Sequence, residues 1–346
     1  MRRLTERLTR RLPPMQLRDE KGAAAVFVAL TMTMLVGCAA IAVDVSSMYA
    51  DRHQLQNGAD AAALAVALDC ARNLCGDVVG TATTAVRANT TAADAADATI
   101  GSPTVTVTGR STTVTARATS NHFFAPVLGR SSDDVTARSS ATWIPTTRGR
   151  ANFPLAISYC EYQGQIARHP LGNTTTYRIN ATTQLGGSCN GPSGTTLSGY
   201  AVTQPDTAAG CRTTSTLGST VAGYADGDGG SYGGSYGGWY GSWYGAGYGS
   251  GYGLPATCTT AYLGSLYGSD LLIPVWDKVS GSGTDMRFRV YGYAAFHFMG
   301  ADPYSSDPAL IGYFTHAAQQ SDATTASTLT TAPDLGARSV YLSKQG

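Results

Sequence analysis

From Ala23 to Val43 the chain runs through 21 residues with no ionisable side chain except the Cys38 thiol. Coiled as a helix, that stretch is about 31 Å long, close to the hydrocarbon thickness of a bilayer. Residues 1–21 carry seven basic side chains against three acidic ones, and a basic flank of this kind stays cytoplasmic. The expected layout is a basic cytoplasmic segment (1–21), a transmembrane helix (22–43) and a bulk of chain outside the cell membrane from Asp44 onward. The lipid bilayer is then the first expected partner. Two other readings remain open. Leu35-Val36-Gly37-Cys38 fits a lipobox, which would make Cys38 a lipidation site, although Ala39 to Val43 stays apolar where a polar tether is usual. Signal cleavage near Ala40-Ile41-Ala42 is the third.

Past the span the helical pattern continues. Val45, Tyr49, Gln56, Ala59, Ala63 and Val66 recur at intervals of three, four or seven, and no proline intervenes between Met15 and Pro103. One helix is expected to leave the bilayer as a stalk and run to about Leu68. A second helix is expected over Thr81 to Ala98. From Pro103 the period changes to two. Thr104 to Thr108, the turn Gly109-Arg110 and Ser111 to Ala118 read as a hairpin of β-branched strands. A third strand is expected over Asp134 to Trp143, with Phe123-Phe124-Ala125-Pro126 as an apolar connection. Residues 44–145 thus form the stalk and a small α+β unit.

Residues 150–346 read as a β-rich domain, with strands at Phe153 to Tyr159, Thr175 to Asn180, Leu271 to Trp276, Met286 to Met299 and Ala309 to Phe314. Glycine-rich turns between them argue for an antiparallel sheet or sandwich. Residues 318–336 read as a polar loop before a last strand at Val340 to Leu342. The fold class is therefore α+β: a membrane helix continuing into a stalk, a small α+β unit, then a mainly antiparallel, disulfide-bearing domain.

Within that domain lies a low-complexity Gly/Tyr-rich loop, 223–253. Tyr232, Tyr236, Tyr240, Tyr244, Tyr248 and Tyr252 recur every fourth residue, joined by Trp239 and Trp243. So much glycine excludes a stable helix. One reading is an aromatic contact loop, since Tyr and Trp offer large amphipathic area. The other is an expanded insertion with no selected partner.

Seven cysteines include Cys38 in the span, leaving six outside: Cys70, Cys75, Cys160, Cys189, Cys211 and Cys258. Outside the membrane an even set points to disulfides rather than zinc, and no Cys-x-x-Cys pair occurs. Cys70 and Cys75 are near enough to close across a helix end. The last four allow three connectivities, of which Cys211–Cys258 with Cys160–Cys189 is favoured because it ties both ends of the aromatic tract.

The run Glu20-Lys21-Gly22, Ala42-Val43-Asp44, Tyr49, Gln54-Leu55-Gln56 and Asp60 to Ala65 resembles the Tad (tight adherence) Flp pilus-assembly family, TadE/TadG-like. Stretches Pro154 to Cys160, Leu272 to Asp277, Tyr291 to Phe298 and Gly312 to Thr315 are similar to the second domain of actinobacterial members. The resemblance implies a membrane-anchored, minor-pilin-like or accessory component supporting surface adhesion, with pilins or other pilus-assembly proteins as partners. Prepilins carry an acid at the fifth position after the cleaved glycine; here Phe27 and Val28 follow at the fifth and sixth. An uncut accessory protein is expected. Asp44 reads as a solvated helix position, with a structural acid as the second reading.

No motif for chemistry stands in the context it needs. Lys+Arg number 24 against Asp+Glu 23, so no basic surface recommends nucleic acid. Gly229 to Gly233 and Gly233 to Gly237 match G-x-S-x-G but lack the strand before and helix after that a nucleophile elbow needs. Asp44-Val45-Ser46-Ser47-Met48 begins like a von Willebrand A metal site, but Met48 replaces the second hydroxyl. His53, His122, His169, His297 and His316 show no ligand spacing, and Asp226 with Asp228 offer too few oxygens for calcium. No enzyme, cofactor, metal or small-molecule substrate is expected. The rival function is a lipid-anchored or membrane-anchored adhesion or ligand-binding protein independent of a pilus.

Overall fold

The computed structural model describes residues 21–90, 99–180, 187–197, 199–203, 206, 211–226, 258, 260–281, 286–302, 309–321 and 332–343. In chain order the first half holds α1 (Lys21–Ala71), α2 (Val78–Asn89), β1 (Thr99–Ile100), β2 (Thr104–Thr108), β3 (Ser111–Asn121), β4 (Ser132–Pro145) and β5 (Arg148–Ala151). There follow β6 (Leu155–Ser158), α3 (Tyr159–Arg168), β7 (Tyr177–Asn180), β8 (Cys189–Asn190), β9 (Thr196–Leu197), β10 (Tyr200–Thr203), β11 (Thr213–Thr216) and β12 (Thr220–Asp226). The remainder is α4 (Thr260–Ser265), β13 (Ser269–Ser280), β14 (Arg287–Asp302), β15 (Ala309–Thr315), β16 (Ala317–Gln320) and β17 (Ala337–Leu342).

Helix α1 spans 51 residues without a break, about 76 Å at the usual rise. It is the one helix among the described residues long and apolar enough to cross a membrane. Its two halves live in different surroundings. Val26, Phe27, Leu30, Met34, Leu35 and Ile41 are exposed, whereas Leu55, Ala59, Ala62, Ala63, Val66 and Ala67 are buried. The helix stops in a Schellman arrangement: Leu74 N–H donates to the Asp69 carbonyl (2.9 Å) and Asn73 N–H to that of Cys70 (3.0 Å). Asn73 takes φ +60°, a conformation its short polar side chain tolerates. The Cys70–Cys75 disulfide brackets this stop.

The second helix starts at Val78 rather than Thr81, because Asp77 caps it by accepting the Gly80 N–H at 2.9 Å; the expected stretch 91–98 lies outside the described residues. The first sheet runs β1-β3-β4-β17-β16, with β2 also on β3. Thr112, Val114, Ala116, Ala118 and Ser120 of β3 face inward, as do Val135, Ala137, Ser139, Ala141 and Trp143 of β4. Period-two alternation thus turns one sheet face onto the alanine-rich stripe of α1, where Val86 of α2 and Val340 of β17 complete the core. Small helix residues let the sheet approach closely.

The C-terminal pairing was not legible beforehand. Residues read as part of the 150–346 domain return to the first sheet: β17 pairs antiparallel with β4 (Val340 opposite Trp143), and β16 pairs parallel with β17. Residues 317–320, expected within or next to a polar loop, are therefore strand. Without β17 the Trp143 side of β4 would be a bare edge.

The second sheet follows the order β12-β10-β6-β13-β14-β15-β7, and β12 also pairs with β14. That extra pairing closes β6, β10, β12, β14 and β13 into a ring, while β15 and β7 continue from the far half of β14. Pairing is antiparallel except where β13 runs parallel to β6. Phe153, Leu155, Ile157, Tyr162, Leu271, Ile273, Phe296, Phe298 and Phe314 pack one core of this unit. The disulfides are Cys70–Cys75, Cys160–Cys189 and Cys211–Cys258.

Candidate functional site

The polar positions that interrupt the apolar pattern of α1 hold the sheet on the helix. Asp44, the first ionisable residue after the apolar run, is only 7% exposed. Its Oδ1 accepts the backbone N–H groups of Phe123 (2.9 Å) and Phe124 (3.1 Å). Its Oδ2 accepts those of Phe124 (3.1 Å) and Ala125 (2.7 Å). The expectation of a solvated Asp44 is thus corrected. Three successive amides converge because the chain leaves β3 and enters a 3-10 turn, Ala125–Leu128, with proline near its start. Such turns leave their first donors unpaired, and a carboxylate satisfies them. Burial pushes the Asp44 carboxyl up, but the amides of Ala125, Phe124 and Phe123, with His122 nearby, outweigh it and leave the group below its ordinary value.

Two further contacts continue along the helix. Asp51 accepts the Ser120 hydroxyl, and Gln56 Nε2 donates to the Arg138 carbonyl at 3.1 Å and to Asp60 Oδ1 at 2.9 Å. Between them Leu55 enters the core. The loop itself is braced by Asp133. Its Oδ1 accepts from Arg130 Nη2 at 2.9 Å, and its Oδ2 lies 3.2 Å from His122 Nε2. Burial raises the Asp133 carboxyl, yet His122 and Arg130 together draw it below its ordinary value. Gly129, at φ +85°, closes the turn where a side chain would be strained.

At the other end of α1, Arg338 of β17 donates to the Ala71 carbonyl (2.9 Å) and to Asn73 Oδ1 (2.8 Å), while pairing with Asp334 (3.0 Å). A cation against the last carbonyls of a helix is favourable. His316 faces Asn73 there, held below its ordinary pKa by burial and then by Arg338. The cleft beside it, lined by Arg72, Thr146, Asp270, Gln319 and Arg338, lies where the two sheets meet.

Inside the second unit, sequence reading missed a buried polar cluster. Glu161 and Gln165 are fully enclosed. Glu161 Oε1 accepts from Tyr200 Oη and from Gln165 Nε2, each at 2.8 Å. Burial, then the neighbouring Glu161, pushes the Tyr200 phenol up. The signal was present: Ser158-x-x-Glu161 is a capping-box pattern, and Ser158 Oγ does accept the Glu161 N–H, which starts α3 where a strand was expected to run on. A second buried acid, Asp277, sits at an irregularity in β13 and accepts from Arg289 Nε at 2.9 Å.

Cys38 is a free, exposed thiol on the apolar half of α1. The aromatic positions Tyr232, Tyr236, Trp239, Tyr240, Trp243, Tyr244, Tyr248 and Tyr252 lie outside the described residues, as do both G-x-S-x-G matches. The five histidines are spread out: His53 packs on Tyr49, His169 stacks on Tyr177 and His297 pairs with Asp270 at 2.7 Å. Among the described residues no three His, Cys, Asp or Glu side chains gather as a metal ion requires.

No curated protein and no solved structure matches the chain. The family comparison instead falls on α1, the element whose polar positions catch the sheet: residues 22–69 match the model of the family described as "Putative Flp pilus-assembly TadE/G-like", and there this chain is similar to pilus-assembly proteins.

Proposed function

We propose that this protein is a single-pass, outward-facing structural accessory of Tad/Flp pilus assembly that supports surface adhesion. The observation that carries the reading is the division of one continuous helix. The family match covers both its bare apolar half and the half sheathed by the first sheet. A rod built this way holds a folded load at a fixed distance from the bilayer without a flexible joint. The pilin-like unit and the β unit are that load, and their exposed faces dock pilins or neighbouring assembly proteins. The basic flank of residues 1–21 keeps the N-terminus cytoplasmic, and it stays uncut, because Phe27 and Val28 supply no carboxylate to register subunits in a filament core. Catalysis has no part in the proposal. Glu161, Tyr200 and Gln165 are sealed from solvent and bonded to one another, the condition of a structural network.

Gene deletion tests the proposal, with surface filaments counted by electron microscopy. Loss of filaments and of attachment, restored by the intact gene, is the expected result. Normal filaments and normal attachment in the deletion strain would overturn it. Protease applied to whole cells should remove the β unit; its survival would reverse the orientation.

A further inference from the structure

We infer that the loop Phe123–Leu128 is a second membrane contact, an apolar wedge seated in the outer face of the bilayer beside α1. The inference rests on the reading of α1 as a membrane span. The loop is built from Phe-Phe-Ala-Pro-Val-Leu, and its apolar side chains point away from the core: Val127 is 88% exposed and Leu128 82%, with Phe123 and Phe124 also exposed. Contiguous apolar surface of this kind marks a contact site.

Its position identifies the occupant. Strand β3 descends antiparallel to α1, since Ser120 bonds Asp51 and Phe123 bonds Asp44. Three residues at the end of β3 and the start of the loop thus cover seven of helix, about 10 Å in each case. The amides of Phe123, Phe124 and Ala125 all meet Asp44, and the turn Ala125–Leu128 that follows touches α1. Ala40, inside the apolar run, is half-covered, while its neighbours on both sides are exposed. Ala40, Asp44, Ser47, Met48 and Asp51 form the single helix face shielded here. The wedge therefore reaches the level of the bilayer boundary and is continuous with the exposed apolar surface of α1. Arg130, 72% exposed at the base of the loop and paired with Asp133, would then stand at the height of lipid phosphates. Interfacial elements bury apolar side chains about 5–10 Å deep and keep basic ones at the headgroups.

With Asp44 clamping the loop, the two contacts act together. A lone helix can tilt and spin in a bilayer; a helix with a rigid wedge on one side holds a set tilt and presents the β unit in one orientation.

The full chain, with native disulfides and Cys38→Ser, is reconstituted in phospholipid nanodiscs. A nitroxide is placed at Val127→Cys, at Met34→Cys in the span, or at Thr108→Cys at the far end of the β2–β3 hairpin. Collisions with oxygen and with a water-soluble nickel chelate are then compared. The expected oxygen-to-nickel ratio at 127 is several-fold above that at 108, and 34 lies deeper still. A water-like 127 with a lipid-buried 34 overturns the wedge alone. A water-like 34 overturns the membrane span and the wedge with it. An immobilised 127 shielded from both quenchers shows a second copy of this chain on that face and also overturns the inference.

Discussion

The Phe124 backbone N–H lies 3.1 Å from each oxygen of the Asp44 carboxylate. One amide is thus shared across the carboxylate, flanked by donors from Phe123 and Ala125. This joins the first ionisable position of α1 to the lowest loop of the sheet, some 80 residues away in sequence.

Asp44→Asn should lower the thermal midpoint of the detergent-solubilised chain by several degrees near neutrality, because an amide nitrogen cannot accept from two of those donors. The folded carboxyl lies below its ordinary value of 3.8, so its contribution is full above that value and vanishes as pH falls through the folded pKa. The gap between wild type and Asp44→Asn should therefore close in strong acid. Midpoints that differ equally at neutral and acid pH would contradict this account.

Gly312→Ala should destabilise the β unit by about 3 kcal/mol. A Cβ there would collide with the His297 carbonyl of β14 and meet the Phe296 ring at 2.7 Å. Backbone on a central strand has no room to yield. Urea unfolding followed by the fluorescence of buried Trp276 reports the loss, and an unchanged midpoint would argue against the β14–β15 register.

Tyr200→Phe should cost about 1–3 kcal/mol, since it leaves the enclosed Glu161 carboxylate without one of its donors. Tyr200→Phe with Glu161→Gln should recover part of that loss by removing the charge. In alkaline titration the phenol of Tyr200 should stay protonated until the fold opens, and that of Tyr293, pushed up to about 12 by burial, should ionise late. Early ionisation of every tyrosine would show that the cluster is open to water.

Replacing both members of Cys211–Cys258 by serine should cost about 4 kcal/mol, against about 2 for Cys70 with Cys75, if chain entropy dominates. The first pair is 47 residues apart and the second only five. Denaturant midpoints of the two double variants give the order directly. A reversed order would mean that Cys70–Cys75 matters through the helix stop it brackets.

Local pattern carried much of this protein. The uncharged run from Ala23 to Val43 and the alanine spacing that follows specify one long helix, and the Thr-Val alternation at 104–108 specifies a strand; both depend on neighbours a few residues apart. Cysteine parity announced bridges for the same elementary reason. Tertiary structure decided what acts at a distance: that Val340 crosses back to Trp143, that β12 closes a ring with β14, and that Asp44 is a buried acceptor rather than a solvated acid. Nothing near Asp44 in sequence reveals that three amides from residues 123–125 will meet it. Such pairings depend on where the whole chain brings its unsatisfied backbone groups, and that is settled only when the sheet lies down on the helix.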